Sequence, residues 1–160
     1  FGGGMSAQTT PRSSGFTLVE LITVIVLIGI LSVVGVGLFT RKAAFSPLLL
    51  TQQLASATLL AQQAALAGNP ANRVVIRQSS DEFQFDAGGG TFTLSREGAS
   101  MSYRLDGGTF SAVPATGLTV SFDGLGRVEP RENIEFRISG ASQYTLCLSS
   151  LGAVYQGPCQ

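Results

Sequence analysis

GFTLVELITVIVLIGILSVVGVGLF, Gly15 to Phe39, decides the fold class, because a helix written this way has no polar face to turn towards water. From Phe16 to Phe39 the run is 24 residues long with Glu20 as its only formal charge. At 1.5 Å per residue it makes about 36 Å of helix, enough to cross a bilayer core of roughly 30 Å. A bare anchor has no use for Glu20. An unpaired acid deep in such a helix costs about 2.5–3.5 kcal/mol, so an intramembrane acid suggests a function. Its place near the helix start softens the cost: headgroups and water are within reach, and the helix dipole favours an acid there by roughly 0.3–1 kcal/mol. The plain alternative is an ordinary anchor with an interfacial Glu. A secretory signal fits less well, since its apolar region is usually about 7–15 residues before small residues at a cleavage site. Here Thr40, Arg41 and Lys42 follow the run.

Gly15-Phe16-Thr17-Leu18-Val19-Glu20-Leu21 ahead of an apolar helix, with Gly29 within it, resembles the type III leader of the type IV pilin and pseudopilin superfamily. The resemblance implies cleavage by a prepilin peptidase between Gly15 and Phe16 and N-methylation of Phe16. It also implies that Glu20 pairs with the free N-terminal ammonium on a neighbouring subunit's Phe16. Two charges that are costly in lipid then neutralise each other only when subunits stand in register. Met5 is the expected start, because Phe1-Gly-Gly-Gly is not a natural initiator.

Composition limits the rest. Of 160 residues, loss of the first 15 would leave 145, enough for one membrane helix and one small domain. Ten basic and ten acidic residues balance, so no global field recruits nucleic acid or an anionic membrane. His is absent, which removes the commonest general base and metal ligand. Cys147 and Cys159 enclose 11 residues. In an exported domain such a pair is expected to form a disulfide, stabilising by about 2–3 kcal/mol on the chain-entropy view. Reduced thiols in a cytosolic protein are the alternative, and a metal site lacks further ligands. Type IV pilins often carry a C-terminal cysteine loop, so the resemblance agrees.

After Phe39 the pattern changes. Leu50, Leu54, Ala57, Ala61 and Ala64 recur at helical spacing and mark one buried face, ended by Gly68-Asn69-Pro70. Pro47 predicts a kink or break near Ser46. From Arg73 the period becomes two, giving candidate strands Arg73–Gln78, Glu82–Asp86, Thr91–Ser95, Met101–Leu105, Leu118–Phe122, Ile134–Ile138, Tyr144–Leu148 and Ala153–Gln156. Glycine-rich segments after Asp86, Asp106 and Asp123 supply turns. In Ile134-Glu-Phe-Arg-Ile the alternation predicts one buried and one wet face. The fold class is α+β: a long N-terminal helix, half membrane-spanning and half amphipathic, packed on an antiparallel β-sheet domain. The expected division is leader 1–15, membrane or filament-core helix 16–40, amphipathic helix 41–68 and globular β domain 69–160.

Phe122-Asp-Gly-Leu-Gly-Arg127, then a strand like NIEFRI, then TLCLSSLGAVYQ, is similar to the globular region of H-type minor pseudopilins and of minor pilins of mannose-sensitive haemagglutinin (MSHA) type pili. The cysteine loop favours the latter. A hairpin turn with positive φ at Gly124 and Gly126 reads the same residues structurally. Asp81, Glu82, Asp86 and Asp123 are the candidate acid/base carboxylates, but they fall at strand ends, where acidic turn residues are routine. No catalytic residue, metal or cofactor is expected, and no loop has the ligand density of a calcium site. Some minor pilins capture DNA with a C-terminal arginine-bearing segment. No Lys or Arg follows Arg137 here, which argues against nucleic acid. Arg127, Arg131 and Arg137 interleaved with Glu129, Glu132 and Glu135 read as a solvated, charge-mixed surface.

The sequence therefore leads to a non-enzymatic minor pilin of an MSHA-like type IV pilus. The alternatives are an H-type minor pseudopilin of a type II secretion system, a DNA-uptake receptor pilin and a membrane-anchored enzyme. Expected partners are other pilin or pseudopilin subunits, the prepilin peptidase, the inner-membrane assembly platform and membrane lipid. Before assembly the chain would cross the inner membrane once with its β domain periplasmic. Afterwards it would stand in an extracellular pilus or a periplasmic pseudopilus. A positive-inside count of Arg12 against Arg41 and Lys42 alone would point the other way. The low leader charge, and Gly37 where most pilins have proline, favour a minor subunit.

Overall fold

The computed structural model describes residues 15–39 and 42–160. The expectations attached to Phe1, Met5, Arg12 and Arg41, and most of the leader, lie outside the described residues. The chain divides into two compact units, Phe1–Phe39 and Thr40–Gln160.

The first unit holds α1, Leu18–Phe39. The helix runs through Gly29, Gly35 and Gly37, and none of Leu18–Gly35 is buried. Its two hydroxyl residues turn inward on their own backbone. Thr23 Oγ1 donates to Val19 O at 2.8 Å and Ser32 Oγ to Ile28 O at 2.7 Å. That bonding satisfies polar side chains where no water is present, so both suit a helix in lipid.

The second unit is built on α2, Lys42–Leu66, which contains Pro47. No break occurs at Ser46: the assigned helix continues through Pro47. The reason is position, since Pro47 lies early in α2 and removes a single hydrogen bond close to the helix start. The far end stops as the sequence indicates. Gly68, at φ 71°, donates to Ala65 O at 3.0 Å and Asn69 to Ala64 O at 2.9 Å, a Schellman cap. Leu50, Leu54, Ala57 and Ala61 form the buried face, but its last member is Ala65, 4 % exposed, rather than Ala64. With 3.6 residues per turn, a stripe drifts off a fixed spacing by the fourth turn.

Ten strands follow among the described residues: β1 Arg73–Gln78, β2 Glu82–Ala87, β3 Gly90–Ser95, β4 Ser100–Leu105, β5 Ser111–Ala112, β6 Leu118–Phe122, β7 Val128–Glu129, β8 Ile134–Ser139, β9 Gln143–Leu148 and β10 Val154–Gln156. They form two antiparallel five-stranded sheets, β3-β2-β1-β6-β7 and β10-β9-β8-β4-β5. Helix α2 packs on both, against β1, β2 and β6 of the first sheet and β8, β9 and β10 of the second. Its alanines let the backbone approach closely, while Phe83, Phe85 and Phe122 from one sheet and Phe136, Ile138 and Leu148 from the other fill the core. Fully burying each such side chain stabilises by about 1.5–3 kcal/mol. The buried hydroxyls of Thr51 and Thr58 donate to Pro47 O and Leu54 O, so α2 carries no unsatisfied hydroxyl into that core.

Gln62 ties the two sheets to the helix. Its Nε2 donates to Gly126 O at 2.7 Å, in the β6–β7 turn, and to Gly152 O at 3.0 Å, in the β9–β10 turn. Gly152 has φ 93°, and a Cβ there would strike Gly126 O and the Gln62 amide. Only glycine fits where two turns and a side chain converge. The β6–β7 connection is a hairpin, as read from Phe122 to Arg127, but Gly126 alone has positive φ; Gly124 does not. Asp123 organises this turn, accepting from Leu125 N and Arg127 N at 2.9 Å each and from Arg127 Nε at 2.8 Å.

Candidate functional site

The N-terminal junction is the first site to build. Gly15, Phe16 and Thr17 precede α1 without regular structure, and Phe16 is 80 % exposed. The Gly15–Phe16 peptide bond therefore lies outside the helix, where a protease can extend it. A Cβ on Gly15 would meet nothing within 4 Å, so this fold does not require a glycine there.

Thr17 and Glu20 form a reciprocal cap. Glu20 N donates to Thr17 Oγ1 at 3.2 Å, Thr17 N approaches Glu20 Oε2 at 3.5 Å, and Leu21 N donates to Thr17 O at 3.2 Å. This is the capping box, Thr-x-x-Glu, in which cap and third residue satisfy each other's orphan N–H. The sequence reading missed it, although Thr17-Leu-Val-Glu20 is its plain signature. The cap occupies Glu20 Oε2 only weakly, and Oε1 has no protein partner among the described residues. The carboxylate is thus oriented by its own chain yet leaves one oxygen open among the described residues. A cationic group brought alongside would complete it. Cleavage after Gly15 would keep the Thr17 N–H and would place a new ammonium on Phe16.

The second site is the outer face of the β8–β9 sheet. Register sets Arg104, Glu135, Cys147 and Tyr155 in one row across β4, β8, β9 and β10, with Ser102, Arg137 and Thr145 in the next. Cys147 and Cys159 are disulfide-bonded, with Cα atoms 5.1 Å apart. The bond draws the chain end over Glu135, whose Oε2 accepts from Arg104 Nη2 at 2.9 Å and from Cys159 N at 3.2 Å. Beside it the Phe110 ring is flanked by Arg137, 3.6 Å from its centroid, and Arg104, at 4.7 Å. Attraction to the ring face offsets part of the cost of the guanidinium Nε–H groups, which are buried without hydrogen-bond partners there.

Two expectations are corrected here. The face of Ile134–Ile138 opposite the core is not wet, because Glu135 is 5 % exposed beneath the disulfide loop. The interleaved charges do not form one solvated surface either: Glu135 pairs with Arg104, Arg127 with Asp123, and Arg137 stacks on Phe110. The partners of Glu135 and Arg137 come from distant positions, which alternation along one strand cannot reveal.

Three of the four candidate acid/base carboxylates, Asp86, Asp123 and Asp81, have local partners. Gln84 and Thr91, together with the Arg77 guanidinium, hold the Asp86 carboxyl below its ordinary 3.8. The Arg127 backbone and side chain, with Leu125 N, do the same for Asp123. Asp81 accepts from Ser80 Oγ at 2.9 Å. Surface cavities of about 360, 320 and 170 Å³ are each lined by a single carboxylate side chain, Asp86, Asp106 and Glu82 respectively. Among the described residues no three His, Cys, Asp or Glu side chains gather as a metal site.

The family model described as the prokaryotic N-terminal methylation motif matches residues 10–36. The N-terminal segment resembles a type IV prepilin leader. The match supports the type IV pilin and pseudopilin superfamily, and it spans the Gly15–Phe16 bond, the capping box and most of α1. A prepilin leader implies processing by prepilin peptidase and assembly with other pilin subunits. No curated protein and no solved structure matches the chain.

Proposed function

We propose that this chain is a non-enzymatic minor pilin of an MSHA-like type IV pilus. In this reading the prepilin peptidase cuts between Gly15 and Phe16, and Phe16 becomes the methylated terminus. Glu20 sets subunit register by meeting the Phe16 ammonium of a neighbour. Before assembly α1 anchors the chain in the inner membrane with the β domain periplasmic, engaging the assembly platform. Assembly then carries that domain to the cell surface, in attachment or pilus biogenesis.

One observation carries the reading: a carboxylate in an otherwise uncharged membrane-length helix, oriented by Thr17 yet without a charged partner among the described residues. An acid left so would cost about 2.5–3.5 kcal/mol deep in lipid, and an ammonium at the next subunit's terminus is the natural counter-charge. The disulfide-tied C-terminal loop favours a pilin over the H-type pseudopilin of a secretion system, whose β-domain motif the Phe122–Arg127 turn also resembles. The Arg137–Phe110 stack and the neutral segment after it leave a DNA-uptake role with little to bind phosphate.

Assembly of a Glu20→Ala chain tests the register role. Cleavage at Gly15 should persist while incorporation into filaments falls by ten-fold or more, as expected from about 1.4 kcal/mol or more of lost pairing. Unchanged incorporation would remove that role.

A further inference from the structure

Each five-stranded sheet has two edges, and among the described residues they differ sharply. β5 and β7 are two residues long and β10 is three, whereas β3 has six: Gly90-Thr-Phe-Thr-Leu-Ser95. Very short edge strands, charges and prolines are the usual protections against edge pairing. β3 has no charge, no proline and pairs regularly with β2 along its whole length.

Which of its backbone groups face outward follows from the turn. Gly88 and Gly89, at φ 58° and 83°, form a two-residue loop closed by the pair Ala87↔Gly90. In such a hairpin the closing pair exchanges hydrogen bonds, and the pattern then alternates. Gly90, Phe92 and Leu94 therefore bond β2, while the N–H and C=O groups of Thr91, Thr93 and Ser95 point away from the sheet. These three side chains are exposed, and those of Phe92 and Leu94 pack against the core but are only half-buried.

We infer that β3 is a self-pairing edge, at which two copies of this chain join their first sheets antiparallel about a two-fold axis at Thr93. Strand β3 is self-complementary in this register. Thr93 stands opposite its own copy and Thr91 opposite Ser95, so the outward groups of all three residues find partners. Phe92 stands opposite Leu94 on the inner face, which covers the apolar surface each copy leaves half-exposed. Asp86, next to the edge on β2, is already neutralised by Arg77 and accepts from Thr91 Oγ1 at 2.8 Å, so it does not repel the second copy. The inference does not depend on the pilin reading.

Cross-linking the full-length chain in membranes tests it. In the Thr93→Cys chain, a short bis-maleimide of about 8 Å reach should bridge the two copies, because directly opposed residues lie about 5.5 Å apart. Thr91→Cys alone should stay monomeric, since its two copies would stand about 14 Å apart along the strands at ~3.4 Å per residue. A Thr91→Cys/Ser95→Cys chain should again cross-link, and adding Thr93→Pro should abolish this. Proline there leaves the β2 pairing intact, because the N–H it removes faces outward. A dimer held through α1, or through another face, would give equal yields at 91 and 93 and would overturn the proposal. So would absence of any dimer at Thr93→Cys, or cross-linking that survives Thr93→Pro.

Discussion

Glu20 and Glu135 are both acids in expensive places, and the two regions that hold them treat them differently. Glu135 lies under the disulfide loop, where Arg104 and the Cys159 amide meet its carboxylate. Glu20 sits near the start of an apolar helix with a cap residue and, among the described residues, no cation. The first acid is completed inside its own chain, so its work is structural. The second is left incomplete, so its work points outside. The same residue type marks a fold element in one region and an assembly element in the other.

Removing each acid should separate the two roles. Glu135→Ala leaves Arg104 beneath the loop with no counter-charge. Breaking a fully buried pair costs about 3–5 kcal/mol, and the partial exposure of Arg104 lowers the expected loss to about 2–3 kcal/mol. Denaturant unfolding of the β domain in the full chain reads this directly. Glu20→Ala should leave that midpoint where it is, and a shift there would blur the contrast.

A smaller effect probes how Glu20 is held. Thr17→Ala removes the cap and should cost about 1 kcal/mol locally, seen as roughly five-fold faster amide exchange at Glu20. Exchange in β8 should not change. If Glu20 were oriented by something other than Thr17, its amide would be indifferent to the substitution.

Sequence patterns revealed what is local and periodic. Six-residue strands such as β1 and β8 alternate clearly, and Gly68-Asn69-Pro70 stops α2 by chemistry that needs no tertiary help. Two-residue strands β5 and β7 carry no period and exist only because a neighbour pairs with them. The cover on Glu135 and Arg137 was invisible for a related reason: Cys159 lies 24 residues beyond Glu135, and Phe110 comes from the β4–β5 connection. The capping box was legible at Thr17 and Glu20, because Thr-x-x-Glu ahead of an apolar run is a local signal. Gly15 shows the opposite case, since the junction was readable although the fold places no demand on glycine there.

The gentlest test of the comparison is acid. Asp123 is held below its ordinary 3.8 by the Arg127 backbone and side chain and by Leu125 N. Such a group contributes its stability fully above the unfolded value and loses it as the pH falls through the lower, folded one. The β6–β7 turn should therefore keep its amide protection as the pH falls to about 4 and lose it only at more acid values. An Asp123→Asn chain should lack that acid-dependent step, while the behaviour of α1 is the same in both.

The most direct test of the account is the mass of the mature N terminus. Intact mass and N-terminal peptide spectra of the protein recovered from membranes should show a chain that starts at Phe16 and carries one methyl group on its amine. A chain that retains Gly15, or starts elsewhere, would contradict the claim that Phe16 and Glu20 exist to join subunits.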